Sequence, residues 1–132
     1  HLSRLTIVND TISVNLTLAY FSIMISWNDF EKIDIRVGTI LEAAPFPKAK
    51  KPAYQLTIDF GDLGIKRSSA QITALYTPEE LAGRQVVAVV NFPVKQIANF
   101  FSECLVLGVY TEDSNVVLLQ PGQKVINGSR IG

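Results

Sequence analysis

A chain of 132 residues that is 48% hydrophobic and 18% charged holds enough apolar material for one packed domain and leaves little room for a second. Its 12 basic and 12 acidic residues cancel, which excludes a polycation that coats nucleic acid or an anionic membrane through bulk charge; any such role falls to local patches. Cys104 is the only cysteine and His1 the only histidine, so neither an intrachain disulfide framework nor a Cys/His zinc site can be assembled, and a reducing cytoplasm is the simplest location.

Residues 1–25 are rich in Leu, Ile, Val and Thr, but Arg4, Asn9, Asp10 and Asn15 interrupt each apolar run. None reaches the roughly 17 to 25 residues that a bilayer-spanning helix needs, so no stable membrane insertion is expected. Leu16 to Ile25 has the hydrophobicity of a signal-peptide core without a clear small-residue cleavage site. The Thr and Val content favours a strand over a helix. This segment is read as an N-terminal extension: an arm ordered by packing or by a partner subunit, or non-native residues from an early start.

Ser26 or Asn28 can cap a short helical turn through Glu31, with Trp27 and Phe30 three apart on one face. The stretch FEKIDIRVGTILE then alternates apolar and polar residues with a period near two, predicting a long first strand from Lys32 to Ala44 with its bend at Gly38. Pro45 and Pro47 are expected to stop it, leaving Lys48, Lys50 and Lys51 in a loop. Ala53–Phe60 and Ile65–Ala70 read as a hairpin around the turn Gly61-Asp62-Leu63-Gly64. Thr77-Pro78-Glu79-Glu80-Leu81 carries a cap, a first-turn proline and a carboxylate at the third helical position, which predicts a short helix stopped at Gly83. Gln85–Phe92 is almost continuously apolar and reads as a strand buried on both sides, or on one side by the barrel and on the other by a partner, ended by Pro93. Leu105 to Val109 and Val116 to Leu119 supply the last strands, separated by a turn at Glu112 to Ser114. Five or six short strands with one short helix after the third describe an all-β, partly open five-stranded barrel with N- and C-terminal extensions; an antiparallel sandwich is the alternative.

Chemistry is sparse. Without a usable histidine the common Ser-His-Asp and Cys-His arrangements are missing, Cys104 beside Leu105 reads as a small core residue, and no glycine-rich loop joins a strand to a helix. No catalytic residue, no metal site and no cofactor is therefore expected. The chain reads as a binder.

From Asp29 to Gly132 the chain resembles the tRNA-binding domain family, whose members occur as free-standing dimers and as appendages of aminoacyl-tRNA synthetases. The resemblance rests on DFEKIDIRVGTILEA at Asp29 to Ala43, SSAQIT at Ser68 to Thr73, YTPEELAGRQVVAVVNF at Tyr76 to Phe92, and VLLQPGQKVINGSRIG at Val117 to Gly132. The resemblance covers about four fifths of the chain, and the order of these segments is more specific than any one of them. Ser68-Ser69-Ala70-Gln71-Ile72 and Ser102-Glu103-Cys104-Leu105 are similar to the export-chaperone branch of the family. Phe46-Pro47-Lys48-Ala49-Lys50-Lys51-Pro52 lacks the histidine and acidic residue usual in the RNA-binding relatives' loop.

The resemblance implies an oligonucleotide-binding (OB-fold) barrel over residues 26–132, a cytoplasmic homodimer, and an ATP-independent chaperone for presecretory or unfolded polypeptides, with the export machinery as a partner. Phe46, Tyr54, Ile72, Phe92 and Phe100 are the apolar candidates for gripping peptide; core packing is the alternative for each. The competing ligand is tRNA, for which rings stack bases and cations meet phosphates. Arg36, Lys48, Lys50, Lys51, Lys66, Arg67, Ser69, Gln71 and Lys95 are the candidates for that contact or for a polar rim around peptide. Trp27, Phe30, Val90, Phe92 and Pro93 are the expected dimer contacts.

Overall fold

The computed structural model describes residues 23–132. The N-terminal extension expected over residues 1–25 lies almost wholly outside the described residues. A division between Ile33 and Asp34 separates the chain into two units. In the first, α1 (Trp27–Glu31) is capped by Ser26: its Oγ accepts from the Asp29 N–H at 3.2 Å, and its own N–H donates to Asp29 Oδ2 at 3.0 Å. That reciprocal pair satisfies two donors a helix start would otherwise leave unmet. The same hydrogen bonds from Ser26, helped by Lys32 nearby, hold the Asp29 carboxyl below its ordinary pKa. Trp27 and Phe30 meet edge to face, with centroids 6.2 Å apart.

The second unit is the barrel. Its strands are β1 (Ile35–Pro45), β2 (Tyr54–Asp59), β3 (Ile65–Ala70), β4 (Gln85–Val89), β5 (Lys95–Ile97), β6 (Phe100–Ser102), β7 (Leu105–Val106), β8 (Gly108–Tyr110) and β9 (Val116–Leu118). Five form one antiparallel sheet in the order β3-β2-β1-β4-β7; β5-β6 and β8-β9 are separate hairpins. The sheet curls into a nearly closed barrel, the fold its alternation predicted. Where β3 and β7 approach each other, the Glu103 N–H donates to the Arg67 carbonyl at 2.8 Å.

β1 serves two neighbours in succession. Ile35 to Thr39 pair with β4, and Thr39 to Pro45 pair with β2. The register shifts between Ile40 and Glu42, so the bulge falls at Leu41 rather than at the expected Gly38. A bulge of this kind bends a strand and increases its twist where it changes partners. Gly38 matters for packing instead, since a Cβ there would lie 2.7 Å from Ile58 Cγ2 and from two ring atoms of Phe60. Its missing side chain lets β1 sit directly over the largest core ring. Pro45, expected just beyond β1, is its last residue, paired with Tyr54 on β2 past the stretch that pairs with β4. Its missing N–H therefore leaves no ladder bond unmade.

The C-terminal tail completes the edge of β1 that β2 leaves open. The Val37 N–H donates to the Ser129 carbonyl, the Gly128 N–H to the Val37 carbonyl, and the Ile131 N–H to the Ile35 carbonyl, at 2.9, 2.7 and 2.9 Å. Gln85 holds the approach to this tail with both ends of its amide. Its Nε2 donates to the Val125 carbonyl at 2.7 Å, and its Oε1 accepts from the Val125 N–H at 3.1 Å.

Leu81, at the end of α2 (Pro78–Leu81), is fully buried in a core with Ile40, Leu56, Ile58, Phe60, Val86 and Ala88. Burial of a leucine on this scale stabilises by about 1.5–3 kcal/mol. The Thr77 capping box is present as predicted: its N–H donates to Glu80 Oε1 at 2.7 Å, and its Oγ1 accepts from the Glu80 N–H at 3.4 Å. β4 is flanked by β1 and β7 and is buried from Val86 to Val89, but ends there; Phe92, expected inside it, is 54% exposed. Leu105 to Val109, expected as one strand, divides between β4 and β9 as partners. Placing a methyl group on Gly38 is expected to cost about 1–3 kcal/mol by overpacking the Ile58 and Phe60 contact, seen as a lower urea midpoint for Gly38→Ala with an unchanged m-value.

Candidate functional site

Two adjoining grooves run along the side of the barrel where β3 and β7 approach. One, of about 360 Å³, is lined by Ser69, Gln71, Phe92, Pro93, Lys95 and Leu105, with Ile97, Ser102 and Cys104. The second, of about 480 Å³, shares Ser69, Gln71 and Leu105 and continues past Ile72, Tyr110 and Val116. Among the described residues, Lys95 is the only charged side chain lining either groove.

Strand ends build this surface. Ser69 lies on the outer edge of β3, where its N–H donates to Ser102 Oγ at 3.1 Å. One residue earlier, the buried Ser68 hydroxyl donates to the Cys104 carbonyl at 2.8 Å, tying β3 to the chain entering β7. The Arg67 N–H donates to Glu103 Oε1 at 3.0 Å. Side chains from Ser102 and Glu103 thus take two N–H groups that a neighbouring strand would otherwise use.

The five apolar candidates divide sharply. Phe92 is exposed and lines the groove. Ile72 touches the second groove but is only 4% exposed, within the main core. Phe46 and Phe100 are buried together with Ala53 in a smaller core, their ring centroids 5.3 Å apart. They hold the loop between β1 and β2 against the β5-β6 hairpin and are not free to grip peptide. Tyr54 is half-buried and its hydroxyl donates to the Tyr76 carbonyl at 2.7 Å.

Among the polar candidates, Ser69, Gln71 and Lys95 come together in the groove. Arg36 does not join them. Its Nε donates to Asp34 Oδ1 at 2.6 Å and its Nη1 to the Gly128 carbonyl at 3.0 Å, so its charge secures the C-terminal tail. Arg67 lies over the Phe100 ring, 4.3 Å from its centroid. Lys48, Lys50 and Lys51 are exposed in the loop anchored by Phe46, and Lys66 is half-buried on β3. Of the expected dimer contacts, Trp27 is exposed and Phe30 half-buried in the first unit, while in the barrel Val90 packs against the core and Pro93 lines the groove.

Sequence reasoning missed Leu105, Ile97, Ser102 and the exposed Phe101. Their hairpin turns at Ala98, whose φ is +53°. No glycine or asparagine at that position announces the turn; the usable signal was the alternation of Ile97 and Phe100 against Gln96 and Phe101, which pair across β5 and β6. Among the described residues, no group of three or more His, Cys, Asp or Glu side chains is placed to hold a metal ion, and no helix is long and apolar enough to cross a membrane.

A nearly closed five-stranded antiparallel barrel with few short helices is an OB-like barrel. The model of the putative tRNA binding domain family matches residues 35–130, and the chain belongs to that family. Its barrel is similar to the chaperone CsaA of Bacillus anthracis, at 53% identity and a TM-score of 0.79 over 83% of this chain and 99% of that one. It is similar also to the CsaA chaperone protein of Picrophilus torridus, at 56% identity and a TM-score of 0.78 over 83% of this chain and 100% of that one. Among curated relatives, methionine–tRNA ligase of Chlorobium chlorochromatii is 35% identical over 111 residues, 84% of this chain. The chain spans about 16% of that ligase's length.

Burial pushes the Cys104 thiol up to about 11 against the opposing hydrogen bond from Ser68. The folded state therefore keeps its proton at pH values where the unfolded thiol, near 9.0, has lost it. Folding binds more protons in that window, so the thiol's contribution to stability is intact below about 9 and declines as pH rises toward about 11. Alkylation of native Cys104 by iodoacetamide at pH 8 is expected to be at least about tenfold slower than in denaturant, because thiolate is the attacking form; equal rates would contradict this burial.

Proposed function

We propose that the chain is an ATP-independent holdase that binds unfolded polypeptides, presecretory ones among them, in the cytoplasm as a homodimer. The observation that carries this reading is the groove at the β3-β7 side, where exposed Phe92 and Leu105 meet the polar edge of Ser69 and Gln71 with one cation, Lys95. Such a surface suits an uncharged extended chain better than a phosphate backbone, which rewards many cations. Further apolar exposure at Val94, Phe101, Val109 and Val117 extends the grip and supplies surface for a second subunit. Similarity to the two CsaA chaperones supports the reading. No reaction centre is required, and delivery to the export machinery would follow from holding a chain unfolded.

A second reading, tRNA binding, is favoured by a separate feature. Phe46 on Phe100 sets the loop of Lys48, Lys50 and Lys51 beside the β5-β6 hairpin that begins at Lys95, and Arg67 lies over the same Phe100 ring. Lys48, Lys50, Lys51 and Arg67 supply positive charge outside the groove that Lys95 lines. The family match and the methionine–tRNA ligase relatives support it.

The purified protein is expected to retard the aggregation of a chemically unfolded presecretory substrate, followed by turbidity, and Phe92→Ser to lose most of that effect without a change in Tm. Its mass by light scattering is expected to be that of a dimer. No retardation by the parent protein, together with a tRNA complex that weakens steeply as salt rises, would replace the first reading by the second.

A further inference from the structure

The seam between β3 and β7 is unzipped beyond its first hydrogen bond. β3 and β7 run parallel, because each is reached from β1 through two antiparallel steps: β1 to β2 to β3, and β1 to β4 to β7. In a regular parallel ladder the bond from Glu103 N–H to Arg67 C=O would be followed by one from the Ser69 N–H to the Glu103 carbonyl and one to the Ser69 carbonyl from Leu105, which is paired with Val89 of β4 instead. Ser69 directs its main-chain groups away from β2, as its N–H bond to Ser102 shows. Val106 directs its own away from β4, since the neighbouring Leu107 N–H donates to the Val87 carbonyl. Among the described residues, the Ser69 carbonyl, the Gln71 N–H and both main-chain groups of Val106 have no main-chain partner across the seam. Both grooves open along this stretch.

We propose that this open edge binds polypeptide through its main chain: an extended guest segment adds to β3, donating an N–H to the Ser69 carbonyl and accepting from the Gln71 N–H. The proposal rests on the polypeptide reading above and specifies its substrate class. Open strand-edge groups favour a partner that supplies the missing hydrogen bonds, and strand addition makes affinity depend on the guest backbone while alternate side chains fill pockets. With the exposed Phe92 and Leu105 in the lining and no acidic side chain among the described residues lining either groove, the guest is uncharged and rich in aliphatic or β-branched residues. A carboxylate is accepted only within reach of Lys95. Proline is excluded where the guest must donate.

The test uses the full chain and a fluorescein-labelled decapeptide of alternating Val, Thr and Leu with one Asp, titrated by anisotropy, followed by the same peptide N-methylated at each position in turn. Methylation on the paired edge is expected to weaken binding about tenfold, which is the loss of about 1.4 kcal/mol, at alternate positions only; the others stay within about twofold. Peptide addition should also slow amide exchange at Gln71. If the parent peptide binds and every methylated form binds equally well, main-chain recognition is overturned while the holdase reading stands. No binding by the parent peptide, with no retardation of aggregation, overturns both. Protection of Gln71 that rises with protein concentration alone identifies a second copy as the occupant and overturns the proposal.

Discussion

β1 hydrogen-bonds to three separate stretches of chain, and the barrel depends on how it divides itself among them. Its first half lies between β4 and the C-terminal tail, and its second half pairs with β2. The exchange needs a bend, which the bulge at Leu41 supplies, and a close approach over Phe60, which Gly38 permits. The tail is consequently part of the barrel wall: Gln85, Thr39 and Arg36 all commit their polar groups to it, with Thr39 Oγ1 donating to Asn127 Oδ1 at 2.7 Å. This explains why the most conspicuous charge on the first strand is unavailable to a ligand.

The opposite side of the barrel is closed differently. Between β3 and β7, side chains of Ser68, Ser102 and Glu103 substitute for a continuous ladder. Side-chain closure holds the strands together at one end and leaves a groove at the other. It also buries Cys104, whose thiol keeps its proton because burial disfavours the charged thiolate there. The same local arrangement therefore accounts for a thiol that keeps its proton and for the groove beside it.

Two surfaces with different physical preferences sit near each other. The groove carries exposed apolar side chains and a single cation, whereas the loop after β1 carries three lysines on a buried aromatic anchor. Desolvation of apolar area drives contact with the first, and contact with the second weakens with salt. Membership of the tRNA-binding domain family and similarity to CsaA chaperones each find a structural counterpart in this pairing.

By itself the sequence determined what depends on neighbours along the chain. Alternation marked β1 and β2, the Gly61-Asp62-Leu63-Gly64 turn marked β3, an apolar run marked β4, and the spacing Thr77 to Glu80 marked a capped helix, because strand pattern, turn and cap geometry are local properties. Ser69, Gln71, Lys95 and Phe92, all named from the sequence, line one groove of the barrel. Only the tertiary structure decided which rings are covered. Phe46 and Phe100 look as available as Phe92 in the sequence, yet they bury each other across more than fifty positions of chain, once the β5-β6 hairpin, turned at Ala98 and Asn99, folds over the loop. Burial and hydrogen-bond partnership belong to pairs of residues brought together from afar, and a local pattern carries no record of which partner will arrive.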